Sequence, residues 1–286
     1  MSYKIVVDSC CDLTEEMKNW SNLAVVPMTL QIGDYIIQDD ESFDQEDFIR
    51  RMVSSTVLAK SACPSPEAFA KACEGDEDEV YLITITDKLS GCYNSAVQGV
   101  ALYHEEHPDS GKKLHVFNSL ATAGLETLMA YKIKELAENG TPFEELVAAV
   151  EEYCVKHCSL YFCLESMDAL KGNGRLYNLG AKVIEALHVK IIGRRTDYGN
   201  ISVGGKDFTT NRVLAKTVDL IVKDTAGCDL SDKTIYISEV CCMEKAEKIA
   251  AMVKEKLNFG EVTILKASGL NSLYASNDGV IISYSK

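Results

Sequence analysis

Small polar residues occur at two places where this chain could meet an anion. At the first, Tyr81-Leu82-Ile83-Thr84-Ile85 reads as a buried strand that runs into Ser90-Gly91-Cys92-Tyr93-Asn94-Ser95-Ala96 and then a helix. Ligands of open α/β sheets sit outside the carboxyl ends of strands. A helix N-terminus offers unpaired N–H groups and a dipole that favours negative charge. Ser90 and Gly91 are therefore candidate anion ligands, although the pattern fits plain N-capping by Ser90 equally well. At the second, Ser61-Ala62-Cys63-Pro64-Ser65-Pro66-Glu67 carries two prolines that push the residue before each towards extended geometry. Ser61, Cys63 and Ser65 project from this stiff loop; the alternative is a structural turn with Ser65 capping a helix that opens at Glu67.

Cys63 and Cys92 fall in loops beside helix N-termini, where a thiolate would be stabilised. That leaves open an enzyme that attacks a small anionic substrate with a cysteine nucleophile. Other catalytic arrangements find less support. None of the five histidines (His104, His107, His115, His157, His188) lies in a Gly- or Ser-rich loop, so a Ser-His-Asp triad is not indicated. Cys154, His157, Cys158 and Cys163 match no common zinc spacing, and no metal is expected. Neither a Walker loop nor a Gly-x-Gly-x-x-Gly turn follows a predicted strand, so no nucleotide cofactor is expected either.

The elements that must position these residues alternate. Strand-length apolar runs at 4–7, 23–27, 80–86 and 114–117 are interleaved with predicted helices at 94–104 and 121–138, as in an α/β domain with a parallel sheet. Asn139-Gly140 ends the longer helix, and Thr141-Pro142 with Glu144 predicts a capped restart running to about Lys156. From residue 160 the character changes. Strands are predicted at 160–164, 189–192, 200–203, 234–238, 262–266 and 279–283, with helices at about 180–187, 211–223 and 243–257, and a Gly-rich turn at Lys171-Gly172-Asn173-Gly174-Arg175. The organisation expected is an N-terminal α/β domain over 1–159 carrying the Ser-rich anion loops, and a C-terminal α/β domain over 160–286 with a mixed sheet.

Composition narrows the function classes. Charged residues are 25% and hydrophobic ones 47% of the 286, the balance of a folded globule. Twenty-nine Lys and Arg against 43 Asp and Glu leave a net charge of −14, which repels nucleic acid and anionic lipid surfaces. No apolar run reaches the roughly 20 residues of a membrane span. Met1-Ser2-Tyr3-Lys4 runs directly into a strand-like stretch, so no signal peptide is expected. The 11 cysteines lack any Cys-x-x-Cys pair and read as reduced thiols in a cytoplasm. One local reversal stands out: residues 171–212 hold eight bases against three acids. Arg175, Lys182, Lys190, Arg194 and Arg195 thus form either a solvated face or a docking face for an acidic partner.

Taken in order, the segments resemble the DegV family of bacterial fatty-acid-binding proteins over nearly the whole chain. Asp8-Ser9-Cys10-Cys11-Asp12-Leu13 is similar to the family's Asp-Ser-x-x-Asp-Leu opening. Leu89-Ser90-Gly91-Cys92-Tyr93-Asn94-Ser95-Ala96 is similar to its Leu-Ser-Gly-Thr-Tyr-x-Ser-Ala. Ser61 to Ser65 resembles its Thr-Ser-Gln-Pro-Ser loop, with Ala62 and Cys63 in place of Ser and Gln. Gly172 to Leu176 resembles its Gly-Gly-Arg-Ile turn. Ala275-Ser276-Asn277-Asp278-Gly279 stands where the family has His-x-Gly-Pro-Gly, so Ala275 replaces a histidine. The resemblance implies a two-domain α/β fold like that of dihydroxyacetone kinase, with a long-chain fatty acid between the domains. It also implies a non-catalytic carrier that presents the carboxylate to a fatty acid kinase ATP-binding subunit, which makes acyl phosphate for phospholipid metabolism. Ser61, Cys63, Ser90, Gly91, Cys92, Arg175, Ala275 and Ser276 are then the expected ligand-binding residues.

Overall fold

The computed structural model describes residues 2–176 and 190–286. Four strands, β1 (Tyr3–Asp8), β2 (Leu23–Val26), β6 (Glu79–Thr84) and β7 (Lys113–Asn118), form a wholly parallel sheet in the order β2-β1-β6-β7. Every residue of β6 is buried, because a central parallel strand is covered on both faces. All four strands end at the same edge, and the loops leaving them converge there.

The second sheet has the order β10-β9-β8-β13-β11-β12. Its strands are β8 (Cys158–Cys163), β9 (Lys190–Arg195), β10 (Ile201–Asp207), β11 (Thr234–Glu239), β12 (Glu261–Lys266) and β13 (Val280–Ser285). Only the β11–β12 pair is parallel. Period-two alternation sets its faces. Leu160, Phe162 and Ile281 point inward, and Tyr161, Cys163, Val280 and Ile282 point to the outer helices α7 (Thr210–Asp224) and α8 (Met243–Lys256).

Between the two sheets lies α4 (Gly124–Glu138), flanked by α5 (Phe143–Glu152). One continuous core joins Ile5, Tyr81 and Phe117 of the first sheet, Leu125, Met129 and Ile133 of α4, and Leu160, Phe162 and Tyr236 of the second. A Cβ on Gly124 would lie 2.7 Å from the Cβ of Tyr236, so glycine lets the helix approach the sheet. On the far face of the first sheet, Val6, Val80 and Leu82 pack on α2 (Pro66–Ala72) and α3 (Cys92–Glu106).

Most predicted elements recur with shifted ends, and three differences are physical. The alternating segment after residue 28 forms a small antiparallel sheet, β4-β3-β5, from β3 (Thr29–Ile32), β4 (Tyr35–Gln38) and β5 (Lys60–Ala62). Its hairpin turns at Gly33, whose φ is +58°. The helix after Gly140 takes Pro142 as its N-cap, without a side-chain bond from Thr141. It leaves α geometry at Tyr153, where a five-residue π-turn runs to His157. Two further helices, α6 (Asp168–Gly172) and α9 (Gly269–Ala275), had no counterpart in the sequence reading, as had α1 (Gln45–Ser54). The helix expected at 180–187 lies outside the described residues. Among the described residues no helix is long and apolar enough to cross a membrane.

Candidate functional site

A cavity opens where the carboxyl edge of the parallel sheet meets the inner face of the mixed sheet. Its unfilled space, counted out through the open mouth and so including solvent there, is about 810 Å³. One wall is apolar: Leu160, Phe162 and Leu164 from β8 and just beyond it, with Ile281 and Ile201. The other is made of loops, with Ile85 to Ser90 after β6, Leu120 to Thr122 after β7, and Leu270 to Ala275 on α9.

Three buried carboxylates hold those loops in place. Asp8, ending β1, accepts from Cys10 N and Ile85 N, each at 2.9 Å, and so ties the first loop to the end of β6. Asp12 accepts from Ser268 N and Asn271 Nδ2, both at 2.8 Å. Asp39 accepts from Gly269 N at 2.7 Å, Leu270 N at 2.8 Å and Ser9 Oγ at 2.9 Å, which fixes the start of α9. Burial raises the pKa of all three, that of Asp39 to about 6. Beneath them Glu126 is fully buried with neither carboxylate oxygen hydrogen-bonded, and burial, with Asp8 adding to it, pushes its pKa well up. Leu120 and Ala123 hold left-handed backbone, φ +52° and +59°, in the loop between β7 and α4. Such strain in non-glycine residues costs about 1–3 kcal/mol and collects at binding sites.

At the mouth, Ser61 on β5 faces Tyr274, with Oγ and OH 3.2 Å apart. Ser90 receives the N–H of Cys92 on its Oγ at 3.2 Å, while Gly91 occupies the N-cap position without a side-chain bond. Arg175 donates Nε to Leu89 O at 3.1 Å and Nη1 to Asn173 O, and its guanidinium carbon is 5.9 Å from the Tyr274 ring centre. Ser61, Ser90, Arg175 and Ala275 therefore line one cavity. Cys63, Gly91, Cys92 and Ser276 lie outside its lining. Cys63 is exposed, its Sγ 3.7 Å from where a Cβ on Gly91 would sit. Cys92 is buried, and burial, reinforced by the neighbouring Asp8, pushes its thiol far above the ordinary range. That corrects the idea of Cys92 as a helix-activated nucleophile, since the side chain points into the core rather than at the helix dipole. Ser276 follows α9 with φ +59°.

The basic stretch does not form one surface. Arg175 and Arg195 line the cavity, Lys190 pairs with Glu165, and Arg194 is exposed. Lys182 lies outside the described residues. Nor do Cys154, His157, Cys158 and Cys163 converge: Cys154 Sγ donates to Ser119 O at 3.0 Å, Cys163 Sγ meets Thr217 Oγ1 at 3.1 Å, and His157 Nδ1 lies 3.3 Å from Lys286 O. Among the described residues the group spaced to share a cation is Asp8, Cys10 and Glu126, in the interior.

Sequence reasoning missed Thr86, Thr122, Asn271, Tyr274 and Arg195 as lining residues. For Asn271 and Tyr274 a signal existed: Ser268 precedes Leu270, Leu273 and Tyr274 at helical spacing. For Arg195 no local signal existed: the strand reads as ending at Ile192, and only the observed β9, which runs on to Arg195, puts it on the inward face with Gly193.

Two stacked sheets, a cavity between them with an apolar floor, and hydroxyls with a cation at its mouth define a binding protein for an amphipathic ligand. Residues 2–285 match the family described as "Uncharacterised protein, DegV family". The chain belongs to the DegV family. It is 33% identical over 286 residues to the DegV domain-containing protein spr0652 of Streptococcus pneumoniae, covering 99% of both chains. Among solved structures, it resembles a DegV family protein of Ruminococcus gnavus refined with vaccenic acid, with a TM-score of 0.93, 36% identity and 99% of each chain covered. It also resembles the Streptococcus pneumoniae Fatty Acid Kinase B3 protein loaded with linoleic acid, with a TM-score of 0.89, 30% identity, and 100% of this chain and 99% of that one covered.

Proposed function

We propose that this chain binds a long-chain fatty acid in the cavity between its two sheets and presents the carboxylate to the ATP-binding subunit of a fatty acid kinase. The observation that carries the reading is the division of the cavity into an apolar sheet wall and a polar mouth. Burying a tail yields about 0.8 kcal/mol per CH₂, on the order of 10 kcal/mol before the costs of ordering and association. A hydrogen bond to a carboxylate adds about 1.5–3 kcal/mol. The tail therefore supplies affinity, while Ser61, Ser90 and Arg175 decide which end faces out. The acids carried by the Ruminococcus and Streptococcus relatives support the same ligand class, and the Fatty Acid Kinase B3 likeness supports the partner. On this reading the chain is a carrier and residues 160–286 form the domain that closes over the tail.

Organic extraction and mass spectrometry of the purified protein test the ligand. One linear acyl chain per protein is expected, and recovery of a nucleotide, or no lipid even after incubation with fatty acids, overturns the reading. Acyl phosphate formation by a fatty acid kinase subunit, dependent on added loaded protein, tests the partner.

A further inference from the structure

We propose that the cavity is built for an acyl chain bearing a second oxygen function, a hydroxyl, oxo or second carboxylate group, which Arg195 receives. This rests on the fatty-acid reading above and names the class of acid within it.

Arg195 ends β9, and on the inner face of the mixed sheet it lies in the row of Leu160 and Ile201. That row is four residues along β8 from Leu164, about 13 Å at strand rise. Leu164, Leu170 and Arg175 mark the mouth side, so Arg195 sits where a bound tail would run. It is held there by Nη2, which donates to Cys154 O at 2.6 Å and to Cys158 O, one carbonyl inside the π-turn and one just after it. Nη1 reaches Cys154 Sγ only at 4.0 Å. A guanidinium has five N–H donors. Among the described residues Nε–H and one Nη1–H have no acceptor, and Arg195 forms no ion pair with a carboxylate.

The charged residues lining the cavity among those described are Arg175 and Arg195, one towards each end, and no acid faces them. A plain hydrocarbon tail would strip water from the unused donors of Arg195 and give nothing back, which costs free energy. An oxygen on the chain would accept those N–H groups, and a charged one would also neutralise the guanidinium. The tie to two carbonyls needs Nη2 alone. It therefore accounts for the position of the side chain and not for the remainder of a planar, permanently charged group.

The test uses the full-length protein stripped of lipid and titrated by calorimetry with matched pairs: linear monocarboxylic and α,ω-dicarboxylic acids of equal length, and octadecanoic acid against a mid-chain hydroxyoctadecanoic acid. For at least one pair the wild type should bind the oxygenated acid about tenfold more tightly. Arg195→Leu should reverse the order by weakening the oxygenated acid and tightening the plain one, and Arg195→Lys should keep part of the preference. Wild-type affinities that are equal, or higher for the plain acids, overturn the proposal and leave Arg195 as a structural tie. This comparison needs no variant to fold. Failure to bind any acid, plain or oxygenated, overturns the fatty-acid reading itself, whereas binding of plain acids without discrimination removes only the role of Arg195.

Discussion

Ser61, Ser90, Thr122 and Tyr274 reach the loop wall of the cavity from four separated stretches of chain, with hydrogen bonds that join Ser61 to Tyr274 and Thr122 to Asn271. Leu160, Phe162 and Ile281, on the opposite wall, come from two adjacent strands whose pairing aligns them, and their side chains make no polar contact. The sheet wall belongs to the core and cannot change without loss of fold. The loop wall is positioned by the core yet can vary residue by residue. A family built this way can retain its affinity for acyl chains while altering how the polar end is read.

Five substitutions sharpen or break this contrast. Phe162→Ala should cost the most, about 3–5 kcal/mol of stability, since its ring fills the space over Gly193 as well as the cavity floor. Urea unfolding measures the loss, and acyl binding should fall with it. Stability within about 1 kcal/mol of wild type would detach the sheet wall from the core.

Asp39→Ala should cost about 3 kcal/mol, because it leaves two backbone N–H groups at the start of α9 and the Ser9 hydroxyl without an acceptor. The mouth should loosen as a consequence, since Asn271 and Tyr274 ride on that helix. The titration of Asp39 has a definite sign. Its folded pKa, about 6, lies above the unfolded value of 3.8, so its contribution is most favourable below the unfolded value and is lost as pH rises through the folded one.

Ser61→Ala and Ser90→Ala should each weaken fatty-acid affinity by about 1–3 kcal/mol while leaving the melting temperature nearly unchanged. Both hydroxyls would serve one carboxylate, so the double variant should lose less than the sum. Calorimetry showing full affinity in both single variants would place the carboxylate elsewhere.

Glu126→Gln should have the smallest effect on stability at neutral pH and a distinct effect on its pH profile. The carboxyl of Glu126 titrates well above its unfolded value, so it disfavours the native state increasingly as pH rises. The amide removes that dependence, and the decline of melting temperature on the alkaline side should flatten. An unchanged profile would mean that Glu126 is not the group that titrates.

The strands of the first sheet were legible because buried parallel strands are continuous apolar runs, as at Val80 to Ile85. Ser61 and Ser90 stood out because serines beside Pro and Gly are distinctive locally, whereas Arg175 stood out through the likeness of its turn to the family's Gly-Gly-Arg-Ile; all three line the cavity. The β3–β4 hairpin was missed although Leu30 and Ile32 alternate with Thr29 and Gln31 ahead of Gly33, because each strand is only four residues long. Tyr274 was missed because α9 has only seven residues and depends on Asp12 and Asp39, more than two hundred residues away in sequence. Arg195 was assigned to a surface with its basic neighbours. Its place in the cavity follows from the β8–β9 register, in which Phe162 opposes Gly193 and Arg195 shares the face of Gly193, and no local pattern contains that pairing.

At the tip of the β9–β10 hairpin, Gly199 has φ +79° and accepts the Thr86 hydroxyl on its carbonyl at 3.0 Å, and a Cβ there would come within 2.3 Å of Thr86 Oγ1. This contact fastens the mixed sheet to the loop wall across the top of the cavity. If the cavity holds a tail as proposed, breaking this contact adds a step to release, and residence time then depends on how often the protein opens as well as on how well the tail fits. A carrier of this kind would retain its cargo longer between encounters than the fit of the tail alone would allow.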